Sequence, residues 1–106
     1  MIQQSDNALA TIGEVARSVL PGAQILLFGS HARHQAGPDS DYDILIITDR
    51  PQDIRTKFAL RTRIRKQLLD HGIRCDVLIQ SDEEIQHKKN LPGHVVRSAL
   101  QEGVPL

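Results

Sequence analysis

Three short apolar runs constrain this chain more than any other feature: Ile25-Leu26-Leu27-Phe28, Ile44-Leu45-Ile46-Ile47 and Val77-Leu78-Ile79. Each is bounded by polar or turn residues and is too short for an ordinary helix. Each therefore reads as a strand buried on both faces, which requires helices on either side of a sheet. The segments between them supply those helices. Leu9, Ile12, Ala16 and Val19 recur at helical spacing behind the capping candidates Ser5 and Asp6, predicting a helix over residues 6–20 that Pro21-Gly22 ends. Asp53 is placed to cap a segment over 53–71, with Ile54, Phe58, Ile64 and Leu68 as its apolar stripe and Gly72 as its stop. Ser81 and Glu84 have capping-box spacing ahead of Ile85, and a last helix is predicted over 93–102, burying Val95, Val96, Ala99 and Leu100. The order helix, strand, strand, helix, strand, helix predicts an α/β fold, a small mixed sheet packed with helices. At 106 residues the chain, 1–106, reads as a single domain.

Thirteen Lys and Arg balance thirteen Asp and Glu, so the formal net charge is zero. That balance argues against a protein that coats nucleic acid, and direct nucleic-acid binding is not expected. Cys75 is the single cysteine, which excludes an intrachain disulfide and suits a cytoplasmic setting. The first residues show no signal-peptide pattern, and the apolar runs are far too short to span a bilayer, so no membrane association is expected.

The chemistry gathers at the polar borders of the strands. In a strand, residues two apart point to one face, with Cα atoms roughly 6.6 Å apart. Asp41 and Asp43 therefore project side by side into the second apolar run, and Asp76 stands at the head of the third. Clustered carboxylates repel unless a cation compensates, and Mg²⁺ prefers such hard oxygen ligands. Two such ions about 3.5–4 Å apart can clamp both the attacking and the leaving oxygen of a displacement. Directly after the first run, Gly29-Ser30 allows backbone to approach a ligand, and a following helical turn would aim N–H groups at phosphate. Arg33 adds a fixed positive charge one turn on. Taken singly, Asp39-Ser40-Asp41 is a polar turn with Asp43 a strand-edge gatekeeper, Gly29-Ser30 a strand corner and Arg33 a surface ion pair.

Joined, the residues read Gly29-Ser30-His31-Ala32-Arg33, seven residues, Asp41-Tyr42-Asp43, and later Asp76 between apolar neighbours. This resembles the signature of the DNA polymerase β-like nucleotidyltransferase superfamily. With Ser40 before the acid pair, it is similar to the minimal nucleotidyltransferases of prokaryotes, often the antitoxin half of a pair with a HEPN-domain toxin. The motif covers residues 25–79, and the chain length suits the family throughout. His34 departs from it, since many members have Gly after the Arg. The resemblance implies a polymerase β palm-like fold and a catalytic, metal-binding set of Asp41, Asp43 and Asp76 holding two Mg²⁺. Asp76 would help hold the catalytic metal or accept the acceptor's proton. The nucleotide-binding set is Gly29, Ser30, Arg33 and Ser40, and the donor is ATP. AMP would pass to a hydroxyl, with tyrosine as the candidate acceptor, of a HEPN-type toxin with which the chain would form a hetero-oligomer.

Two other readings stay open: a non-catalytic antitoxin that occludes its partner, and an aminoglycoside-type enzyme acting on a small molecule. Against the second, only thirty residues follow Asp76, too few for an added helical domain. His31, His34, His71, His87 and His94 are scattered and lack a third ligand for zinc. Tyr42 should face away from the acids. Arg55, Lys57, Arg61, Arg63, Arg65 and Lys66 read as a solvated helix face, with an acidic partner or RNA as the alternative.

Overall fold

A computed structural model describes residues 4–106, with side chains from residue 7 onward. Helix α1 spans Gln4–Val19 and leads through the Pro21-Gly22 turn into strand β1, Gln24–Phe28. A single helical turn, α2, Gly29–Ala32, follows, then β2, Tyr42–Thr48, helix α3, Ile54–Asp70, and β3, Cys75–Ser81. The chain ends with α4, Asp82–Lys88, α5, Val95–Glu102, and a two-residue strand β4, Val104–Pro105. The sheet order is β3-β2-β1-β4. β2 runs antiparallel to β1 and parallel to β3, so the sheet is mixed.

Local chemistry explains the boundaries. Asp53 caps α3 by accepting from the Thr56 N–H at 2.7 Å. The helix stops in a left-handed Gly72 (φ 74), with Gly72 N–H donating to the Leu69 carbonyl and Ile73 N–H to that of Leu68, both at 2.9 Å. That is the Schellman arrangement, which satisfies the otherwise orphaned last carbonyls. At α4 the Ser81 hydroxyl accepts from Glu84 N–H, and the Glu84 carboxylate accepts from Ser81 N–H, closing the capping box. The His94 ring accepts from Val96 N–H, so the last helix begins at Val95 rather than at 93.

Helices cover both faces of the sheet. On one face Ile12, Ala16, Ile25, Leu27, Ile44, Ile46, Ile64 and Leu68 pack α1 and α3 onto the strands. On the other, Phe28, Leu45, Ile47, Ile85, Val96 and Ala99 carry α4 and α5. Fully burying one such aliphatic side chain is worth about 1.5–3 kcal/mol, so both layers are held mainly by these contacts.

Two expectations about the core fail. Ile54 and Phe58 are 85% and 63% exposed, because Phe58 and Ile64 are six residues apart, roughly 120° around a helix. The stripe that reaches the sheet is Leu60, Ile64 and Leu68. Val95 is likewise exposed, since its neighbour Val96 takes the inward position and adjacent helical residues cannot share a face. The short β4 was not foreseen. Its Pro105 is tolerated because β4 lies at the sheet edge, where no second ladder needs its missing N–H.

Candidate active site

Side chains alternate along β2, so Tyr42, Ile44 and Ile46 face α1 and α3, while Leu45 and Ile47 face α4 and α5. Asp43 shares the second face. Its register partner on β3 is Asp76 and its partner on β1 is Phe28. The parallel pairing thus brings together two of the three predicted carboxylates. The antiparallel pairing delivers Gly29, the next residue after Phe28, to the same place. Gly29 adopts φ 77, and a Cβ there would collide with the Asp43 carboxylate. Two independent demands, left-handed backbone and close approach, therefore require glycine.

Burial raises the Asp43 pKa above the usual carboxylate range, and repulsion from Asp76 and then Asp41 adds to it, while His31 and Arg33 pull it down. Cys75 lies on the opposite face and is buried. Burial first, then Asp43 and Asp76, push its thiol up to about 12, so it stays protonated and unreactive rather than open to modification.

Asp41 stands one residue before β2, and its Oδ1 lies 3.2 Å from Arg74 Nε instead of closing on Asp43. Arg74 also donates from Nη2 to the Asp39 carbonyl at 2.7 Å. Among the described residues, no three His, Cys, Asp or Glu side chains are drawn together as a ready metal cage. Both members of the Asp41–Arg74 pair are about half exposed, and pairs of that kind are worth only ~0–1 kcal/mol, so turning Asp41 inward costs little. Ser40 shapes the approach: its Oγ accepts from Gly37 N–H at 2.9 Å, and its carbonyl accepts from His31 Nε2 at 3.0 Å. The His31 ring stacks on Tyr42, with centroids 3.7 Å apart. Tyr42 thus faces away from the acids, as expected, and His31 braces the loop. On that side a cleft of about 490 Å³ is lined by His31, Ser40, Tyr42, His71 and Arg74 but by none of the three acids.

Ser30 is the second residue of α2 and half-buried, and Arg33 follows its end. The Arg33 guanidinium is bound by Glu102, with Nη1 donating to Oε2 at 3.0 Å and to Oε1 at 3.1 Å. Glu102 Oε1 also accepts from Gly29 N–H at 3.0 Å. Sequence reasoning passed over Glu102, Arg74 and the His31 stack. Arg74 carried a signal, since it sits two residues from Asp76. Glu102 carried none.

His34 takes the left-handed conformation, φ 57. The turn after Arg33 therefore keeps the shape a glycine would give it, at some strain.

Comparison with known proteins fits this geometry. Residues 10–105 match the model of the nucleotidyltransferase domain family. A Methanocaldococcus jannaschii protein provisionally named a protein adenylyltransferase is 36% identical over 80 residues, 76% of this chain and 73% of that one. Among solved structures, a chain of a toxin-antitoxin complex with AMP-PNP superposes with TM-score 0.62 at 18% identity, covering 91% of this chain and 69% of that one. A chain of the complex of tri-AMPylated Shewanella oneidensis HEPN toxin with MNT antitoxin gives 0.61 at 17% identity, covering 97% and 71%. At such identities the structural likenesses speak for the fold alone. The chain belongs to the nucleotidyltransferase domain family and is an enzyme of that class. Enzymes of this fold generally work with divalent metal.

Proposed function

We propose that this protein transfers AMP from ATP to a hydroxyl, with tyrosine as the candidate acceptor, of a HEPN-type toxin partner, and so acts as its antitoxin. The observation that carries the reading is the pairing of Asp43 with Asp76 across β2 and β3, with Gly29 pressed against the Asp43 carboxylate. The provisional name of the M. jannaschii relative and the complexes to which the structural neighbours belong support the protein acceptor.

The donor set suits a hard divalent cation. Asp43 and Asp76 stand side by side with Asp41 one residue before the strand, and the raised Asp43 pKa reflects burial first and then the carboxylate repulsion that metal would relieve. Asp41, Asp43 and Asp76 would hold two Mg²⁺, which when bound neutralise phosphate charge and polarise the reacting phosphoryl group. Gly29, Ser30 and Arg33 would orient the triphosphate from the α2 side, while Ser40 holds the loop that carries Asp41. The acceptor oxygen forms a bond to the α-phosphorus as the bond to pyrophosphate breaks, and the hydroxyl proton passes to the Asp76 carboxylate or through it to solvent. Such transfer needs positioning and charge neutralisation more than covalent chemistry by the protein.

Thermal unfolding with ATP, GTP, CTP and UTP, each with and without Mg²⁺, tests the site on wild type and on Asp41→Asn/Asp43→Asn. A ligand at one hundred times its Kd stabilises by about 2.7 kcal/mol, and in a domain this small each kcal/mol moves Tm by about 4–8 °C. A Mg²⁺-dependent rise with ATP that the double variant lacks is expected, followed by transfer of labelled AMP to the co-purified toxin. Neutralisation of the toxin by the double variant, with no label transferred, would instead establish an antitoxin that works by occlusion.

A further inference from the structure

We infer that the Glu102 carboxylate is a resident counter-anion in the phosphate-holding corner, displaced when a nucleoside triphosphate binds, and that it thereby sets the enzyme's nucleotide affinity. This rests on the nucleotide reading above and goes beyond it, because it assigns a function to the last turn of α5.

The contacts are specific. Glu102 Oε1 accepts from Gly29 N–H at 3.0 Å and from Arg33 Nη1 at 3.1 Å, while Oε2 accepts from Arg33 Nη1 at 3.0 Å. These donors belong to two of the residues assigned to the triphosphate. A backbone N–H is a single donor and cannot serve both a glutamate and a phosphate oxygen. On Arg33, Nη1 serves Glu102 and Nε donates to Gln35 Oε1 at 3.1 Å, so Nη2 is the nitrogen left for a phosphate oxygen while the glutamate stays in place. A carboxylate left in place would also repel an arriving polyphosphate. The hydrogen bonds from Arg33 and then Gly29 hold the Glu102 pKa below its ordinary value, so the group is an anion at neutral pH.

The surroundings let the side chain leave without the backbone. The Glu102 side chain is 25% exposed. The segment behind it is pinned: β4 pairs Val104 with Leu27 and Pro105 with Leu26, and Leu106 N–H donates to the Ile25 carbonyl at 2.9 Å. A rotation about the glutamate's own bonds frees Gly29 and Arg33 while the sheet stays intact.

Calorimetric titration of ATP with Mg²⁺ into wild type and Glu102→Gln tests the inference. The amide keeps the shape of the side chain but removes its charge. Affinity is expected to rise on the order of ten-fold, the scale of one charge-assisted hydrogen bond no longer lost on binding. In an Arg33→Gln background the same substitution should change affinity far less. A second measurement needs no variant: the ¹³C shift of the Glu102 carboxyl in wild type should move on titration with ATP and Mg²⁺. Weaker or equal binding by a folded Glu102→Gln, or a carboxyl shift that stays put while ATP binds, overturns the inference alone. Absence of binding by wild type and variant alike overturns the nucleotide reading and this inference with it.

Discussion

The two faces of the sheet start at the same end of β2 and diverge at once. Toward α1 and α3 the strand presents Tyr42, Ile44 and Ile46, an apolar series continued by Cys75, Val77 and Ile79 on β3. Toward α4 and α5 it opens with Asp43 beside Asp76 and only then becomes apolar with Leu45 and Ile47. One strand therefore does two jobs with a period of two. Its closed face fastens the fold, and the first residue of its open face carries charge. The lesson is that a strongly buried strand can carry clustered charge provided the charge sits at its mouth, where water can reach it.

The largest expected effect lies on the closed face. Ile46 is fully buried, so Ile46→Ala should cost about 2–5 kcal/mol in urea denaturation, with nucleotide affinity of the remaining folded protein unchanged. A comparable loss of affinity in the folded fraction would break the division of labour. Next is Gly29→Ala on the open side. The positive φ alone costs about 1–2 kcal/mol, and the clash with Asp43 adds to it. Here Tm and AMP transfer should fall together, and full transfer by the alanine variant would contradict the close approach. His34→Gly should act in the opposite direction, stabilising by about 0.5–1 kcal/mol by relieving φ 57, with transfer retained.

The smallest effect concerns pH and the closed side. The Asp53 pKa is lowered, chiefly by the hydrogen bond from the Thr56 backbone. A carboxylate with a lowered folded pKa stabilises above its unfolded pKa of about 3.9, and the contribution fades as pH falls through the folded value. Asp53→Asn should therefore narrow the Tm difference between pH 5 and pH 3 relative to wild type. An unchanged difference would show that the cap contributes nothing through its charge.

Much of this was legible in the residues. The apolar runs marked strands β1, β2 and β3, and Asp53, Gly72, Ser81 and Glu84 marked helix ends, because capping is local chemistry. The meeting of Asp43 with Asp76 was legible only on the condition that their strands pair, and parallel pairing in register supplied the rest. The turn of Asp41 toward Arg74 was hidden, since it depends on where the loop before β2 lies against the start of β3. The exposure of Phe58 was readable from helical spacing but was overridden by its apolar character. Glu102 could not be read at all, because nothing within one turn of it hints at a partner near the other end of the chain.

That separation has a consequence for the order in which the chain folds. Gly29 and Glu102 are 73 residues apart, and Arg33 and Glu102 are 69 apart. The segments that join β1 to β2 and β2 to β3 are far shorter than those that separate Gly29 and Arg33 from Glu102. Long-range contacts of this kind form late, since loop closure must come first. Until that closure Gly29 and Arg33 stand without their glutamate, so a partly folded chain would meet nucleotide with the corner unguarded.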